Sequence, residues 1–279
     1  MVTSWPSGNV EVSGGYLAYD RTGGSGPTML LSHGLSDNGL CWSRVAQALE
    51  ADYDIVMLDA RGHGQSSPMG NGEDYDPGRD IAEAIENLSL KSPIVMGHSI
   101  GALATAAFAA DYPHLASKVV LEDPPLLQPV DRTAGLERRE KFRQQVAKFQ
   151  AMSDAEITDM GRQLSPDWHV DEFPAWASGK RQVDPEAMPA RFPPWKASIE
   201  KISAPTLLIY GEPERGGLVT PKVADEAMRM NRSIRAVQIQ GAGHNIRREN
   251  FNDFVSVVRA FLNENNEKMN IGENTLDNH

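Results

Sequence analysis

Short apolar runs alternate with longer amphipathic stretches along most of this chain. Residues 28–32, 54–58, 93–96, 118–121 and 206–210 are nearly continuous in Val, Ile, Leu and Met, the pattern of strands buried on both faces. Residues 235–239 are a weaker sixth such run. The segments 40–51, 77–89, 100–112, 220–230 and 250–264 have the spacing of amphipathic helices. Strands alternating with helices predict an α/β fold with a doubly wound, mostly parallel sheet. Residues 9–21 alternate apolar and polar positions on either side of Gly14-Gly15, which predicts an antiparallel hairpin at the sheet edge.

The alternation stops between about 126 and 200. Residues 132–152 are charged and strongly helical, and Ser153 followed by Glu156 has the form of a capping box opening another helix. An aromatic and proline-rich stretch follows, with Trp168, Phe173, Trp176, Phe192 and Trp195. Residues 126–200 are therefore expected to be a helical insertion, a lid over a pocket in preference to a plain surface excursion, since long insertions are often functional. Its aromatics either line the pocket or form the lid's own small core. The segments 1–125 and 201–264 make up the core. The tail, 265–279, is rich in Asn and Glu, poor in apolar residues and expected to be disordered.

Composition narrows the class. With 40% hydrophobic and 23% charged residues over 279 positions, whole-chain disorder is excluded and a full core can be buried. No apolar run approaches a membrane-spanning length, and the first residues lack the basic and apolar regions of a secretory signal. The single cysteine, Cys41, cannot form an internal disulfide, which fits a reducing, cytoplasmic setting. A net charge of −11 argues against nucleic acid or an anionic membrane as partner, and reports solubility more than function. The sequence carries no signal of oligomeric state.

The chemistry is concentrated in a few motifs. Gly97-His98-Ser99-Ile100-Gly101 sits between an apolar strand and an alanine-rich helix. That is the context of a nucleophile turn, where small flanking residues let a strained serine project from the positive end of a helix. The turn His33-Gly34-Leu35 ends an earlier strand. The N–H of Leu35, with that of Ile100, is the candidate pair of oxyanion donors. A serine needs a base. Of the seven histidines, His244 in Gly241-Ala242-Gly243-His244 lies in a glycine-rich loop after the last strand, placed to reach Ser99. His33 is expected to bond its own loop, and His98 to point away from its neighbour Ser99. The residues leave the acid open among Glu214 and Glu212, after Tyr210-Gly211, and Asp123, at the end of the preceding strand.

Taken together, His33-Gly34-Leu35 with Trp42, the run from Asp59 to Ser66 (DARGHGQS), Gly97–Ala102 and Gly241–His244 resemble the α/β-hydrolase superfamily. The resemblance implies an eight-stranded sheet, a helical cap after the sixth strand and a Ser-His-acid triad. It also implies an acid three residues after the glycine that ends the seventh strand, which here is Glu214. Two departures stand against that position: glutamate replaces the more usual aspartate, and Gly216-Gly217 reads as a small insertion. The implied activity is hydrolysis of a carboxylic ester or lactone by Ser99 and His244, with no metal or organic cofactor. Carbon–carbon bond hydrolysis by the same triad, with Ser36, Asp37 and Asn38 as extra polar groups, is the alternative within enzymes. A ligand-binding or sensor protein on the same fold is the alternative outside them.

Overall fold

Successive residues of the central strands are buried on opposite faces of one sheet. Met29 and Leu31 of β3 (Thr28–Ser32) face one side with Ile55 and Met57 of β4 (Asp54–Leu58), while Leu30 and Val56 face the other. This is the period of 2 expected of a strand, with both faces covered. The computed structural model describes residues 5–70, 75–127, 132–189 and 194–264. Its sheet has eight strands in the order β1-β2-β4-β3-β5-β6-β7-β8. The remaining strands are β1 (Ser7–Val12), β2 (Gly15–Arg21), β5 (Ile94–His98), β6 (Lys118–Glu122), β7 (Thr206–Tyr210) and β8 (Ile234–Gln238). β1 and β2 are the antiparallel edge hairpin, turning at Gly14 with φ 84°. From β4 to β8 every pairing is parallel.

Between the strands lie α1 (Ser43–Leu49), α2 (Pro77–Asn87) and α3 (Ile100–Asp111). The segment from β6 to β7 holds α4 (Arg132–Gln150), α5 (Asp154–Leu164), α6 (Glu172–Gln182) and α7 (Trp195–Lys201). The chain ends its described part with α8 (Pro221–Met230), α9 (Ile246–Glu249) and α10 (Phe251–Asn263). One face of the sheet is covered by α2, α3, α7 and α8, and the other by α1 and α10 together with Trp42. Cys41 is buried and free. No helix among the described residues is long and apolar enough to cross a membrane. The tail 265–279 lies outside the described residues.

The excursion after β6 divides its aromatics by role. Trp195 is buried with Ile199 and Ile202 against α3, as part of the main core. Phe173 is buried in α6, and Trp168 packs against both Phe173 and Trp176. These side chains pack the insertion itself. Phe192 lies outside the described residues. The capping box at Ser153 and Glu156 forms at the start of α5.

Candidate active site

Ser99 occupies the one-residue corner between β5 and α3, with φ 54° and ψ −120°. A non-glycine residue in such a conformation costs about 1–3 kcal/mol and persists only where the surroundings enforce it. Here Ser99 N–H donates to the carbonyl of Glu122 on the neighbouring strand, 2.8 Å away. Gly97 and Gly101 make room for the corner. A Cβ on Gly101 would collide with the carbonyls of Ser32 and His33, and one on Gly97 with the backbone of Gly101. Ile100 is the first residue of α3, so its N–H has no partner within the helix.

The Ser99 hydroxyl lies 3.0 Å from His244 Nε2, and His244 Nδ1 lies 2.7 Å from Asp123 Oδ2. A carboxylate only accepts, so Nδ1 carries the proton and Nε2 presents its lone pair to the serine. Asp123 is completely buried and directly follows β6. Its Oδ1 accepts from Val219 N–H and its Oδ2 also from Leu218 N–H, at 3.0 and 2.8 Å. His244 reaches inward because its loop packs on the end of β7, where a Cβ on Gly211 would strike the carbonyls of Ala242 and Gly243.

The His33–Leu35 turn abuts this corner. A Cβ on Gly34 would lie 2.7 Å from His98 Nδ1 and 3.3 Å from Ser99 Cβ. His33 bonds its own loop, as expected. Nδ1 donates to the Gly34 carbonyl and Nε2 accepts from Ala60 N–H. Burial pushes the His33 pKa down to about 4, so the ring is neutral. His98 turns away from Ser99 and donates from Nε2 to the backbone carbonyl of His244, 3.0 Å away. Burial, with Arg247 nearby, holds His98 well below the ordinary histidine range. Among the described residues there is no cluster of His, Cys, Asp and Glu able to hold a metal ion.

Residues 29–256 match the Alpha/beta hydrolase family. The chain belongs to that family. It is 28% identical to the N-formylmaleamate deformylase of Pseudomonas putida over 94% of this chain and 98% of that one. It is 38% identical to the 2-(acetamidomethylene)succinate hydrolase of Mesorhizobium japonicum over 37% of each chain. The crystal structure of an E-2-(acetamidomethylene)succinate hydrolase superposes with a TM-score of 0.73 at 21% identity, covering 93% of this chain and 99% of that one, a likeness of fold.

For this α/β-hydrolase the position of the acid is a correction to the sequence reading. Glu214 lies in a short 3-10 turn (Pro213–Arg215) and is exposed, without contact to His244. Glu212 is used elsewhere, accepting from Gly241 N–H and pairing with Arg215. The carboxylate on His244 is that of Asp123. The physical reason is strand order. β6 lies directly between β5, which ends at the serine, and β7. The Gly216-Gly217 insertion then brings the chain back so that the amides of Leu218 and Val219 clamp Asp123. Leu35 packs beside Phe142 of α4 and Val183, which follows α6.

Sequence reasoning also missed a buried group of charges beneath the site. Asp37 accepts from Lys180 of α6 and from Arg247 and Arg248 of α9. Burial alone would raise the Asp37 pKa, but Arg248, Lys180 and Arg247 hold it well below the usual carboxylate range. Arg248 further contacts Glu172 of α6, and Arg247 contacts Glu122, whose pKa is raised by burial. Ser36 accepts from Lys180, and Asn38 donates to Ser178 and Gln182. Thus Ser36, Asp37 and Asn38 join the insertion to the core. Their sequence signal was the run of polar residues directly after the His33-Gly34-Leu35 turn.

Proposed function

We propose that this hydrolase cleaves a carboxylic ester or lactone through an acyl-enzyme formed on Ser99. The observation that carries the reading is the unbroken relay from Ser99 Oγ through His244 to Asp123, with spacings of 3.0 and 2.7 Å. His244 takes the hydroxyl proton as Oγ attacks the carbonyl carbon, and Asp123 holds the tautomer and stabilises the imidazolium. The N–H groups of Leu35 and Ile100 are the proposed oxyanion donors. The tetrahedral species collapses by expelling the alcohol, which takes its proton from His244. Water, deprotonated by His244, then attacks the acyl carbon, and the bond to Ser99 Oγ breaks as Oγ takes the proton back from His244 and the acid leaves. No metal or organic cofactor enters this sequence.

The full-length likeness to a deformylase supports a second reading, in which the same acyl transfer expels nitrogen instead of oxygen. Carbon–carbon bond hydrolysis would use the same three residues. A panel of aryl esters, lactones, N-formyl and N-acetyl amides and 1,3-diketones, assayed with wild type and Ser99→Ala, separates these readings. Hydrolysis of esters or lactones that falls by several powers of ten in Ser99→Ala supports the proposal. Ester activity surviving above a tenth in that variant overturns it, as would a serine-directed phosphonate adding its mass at another residue. Inertness to the whole panel with no phosphonate label would overturn the acyl-enzyme proposal and favour a binding protein on this fold.

A further inference from the structure

A cavity of about 680 Å³ has His33 and Ile100, which adjoin the Ser99 corner, among its lining residues and runs along α3. Its volume is that of a site for a small organic molecule. The long walls are Leu17, Leu58 and Ile81 on one side and Leu103, Ala104 and Ala107 of α3 on another. Pro189, Pro194 and Ser198, from the segment between β6 and β7, close it over. The alanines of α3 create the space, because a helix packed on a sheet ordinarily fills such positions with larger side chains.

Most of the charged and ring-nitrogen groups on the walls already have partners. Arg61, the one cation among the described lining residues, spends its donors on Asp80 and on the carbonyls of Ser13 and Gly14. His33 has both ring nitrogens bonded to backbone. His63 is buried and donates to the Arg61 carbonyl through Nδ1, which leaves its neutral Nε2 as an acceptor without a partner, open to an uncharged donor. Asp76 caps α2, and the remaining carboxylate, Asp111, is at the far end of α3. An anion entering here would find no free cation among these residues and would meet carboxylates, while the walls nearest Ile100 are apolar.

We propose that this cavity takes an uncharged, apolar arm of the substrate, laid along α3 with its reacting carbonyl at Ser99. The inference rests on the acyl-hydrolase reading and adds to it a substrate class. It separates this chain from relatives whose names specify acids, N-formylmaleamate and 2-(acetamidomethylene)succinate.

The test uses the full-length protein and two ester series, p-nitrophenyl alkanoates from acetate to octanoate and alkyl acetates from ethyl to octyl. A mono-p-nitrophenyl adipate supplies a chain tipped with a carboxylate. In at least one series kcat/KM should rise about fourfold per methylene, the value of burying one methylene. The carboxylate-tipped ester should trail the hexanoate at least tenfold. Ala107→Phe, which fills the cavity from α3, should cost the long substrates at least tenfold and the shortest less than twofold. Ser198→Phe, from α7, should do the same should Ala107→Phe not fold. Binding is read without turnover in Ser99→Ala, where 1-octanol should displace Nile red and octanoate should not. Flat series with no displacement by octanol would overturn the cavity assignment alone. Displacement by octanol in a protein that hydrolyses no ester would keep the cavity assignment and sink the proposed reaction. A preference for the carboxylate-tipped chain, or for octanoate, would overturn the claim that the arm is uncharged.

Discussion

Asp123 and His244 are joined across 2.7 Å although 121 residues separate them in the chain, and the carboxylate that meets the imidazole follows β6, not β7. Asp123 accepts three hydrogen bonds while fully buried, one from the imidazole and two from the amides of Leu218 and Val219. Those bonds fix the carboxylate before any substrate arrives. The proposed reaction depends on that fixed partner.

Exchanging the acid's charge for an amide distinguishes the contenders directly. Asp123→Asn should lose at least a hundredfold in kcat, with a smaller change in KM, because the wrong histidine tautomer then faces Ser99. Glu214→Gln, at an exposed turn, should stay within threefold of wild type. Steady-state kinetics on an aryl ester checks both, and the opposite ranking would return the role to Glu214.

Beneath the site, Asp37 balances three buried cations. Asp37→Ala leaves Lys180, Arg247 and Arg248 without their shared partner and should cost about 3–5 kcal/mol, the usual penalty for breaking a buried ionic group. Lys180→Met should cost less, since Asp37 keeps both arginines. Urea denaturation at neutral pH measures the two, and equal losses would show that the carboxylate is not the centre of the group.

His63 is held neutral by burial, its pKa pushed down to about 3. A histidine depressed below its unfolded value of about 6.5 contributes stability that is present above that value. The contribution is lost as pH falls toward about 3. Asp20, raised to about 6 chiefly by burial, works in the opposite sense, so the comparison is between variants and not along one curve. His63→Asn keeps a donor for the Arg61 carbonyl and removes the titration. Its urea midpoint should therefore fall less steeply than that of wild type between pH 6.5 and 4. Parallel curves would mean that His63 does not titrate in this range on unfolding.

Gly34 is the point where the His33–Leu35 turn touches both His98 and the serine corner. Gly34→Ala should push that turn away and reduce kcat at least tenfold while leaving the melting temperature within a few degrees. A fall in melting temperature with kcat unchanged would assign Gly34 to packing alone.

Chelation offers a further check. Prolonged dialysis against EDTA should leave kcat unchanged; loss restored by zinc would reveal a metal-dependent step.

The parallel strands were legible because burial on both faces leaves few polar positions in them, so each prints an uninterrupted apolar run. The serine corner was legible because its strain demands small residues at Gly97 and Gly101. His244 was legible because its loop needs glycines too, Gly241 for a φ of 74° and Gly243 for its close approach to the Arg215 carbonyl. Helix α6, in contrast, lies in a stretch whose prolines and aromatics obscure its period, and α9 is only one turn long.

Sequence by itself therefore determined the order of strands and helices along the chain and the serine and histidine proposed as nucleophile and base, since each is written in local patterns of size, polarity and backbone freedom. Tertiary structure alone decided which carboxylate meets His244, and that Asp37 would gather cations from 143 to 211 residues away. The physical reason is that an ion pair or hydrogen bond acts between atoms brought together by sheet order and helix packing. Asp123, Glu212 and Glu214 all follow strands in much the same way along the chain, and only the position of β6 between β5 and β7 separates them.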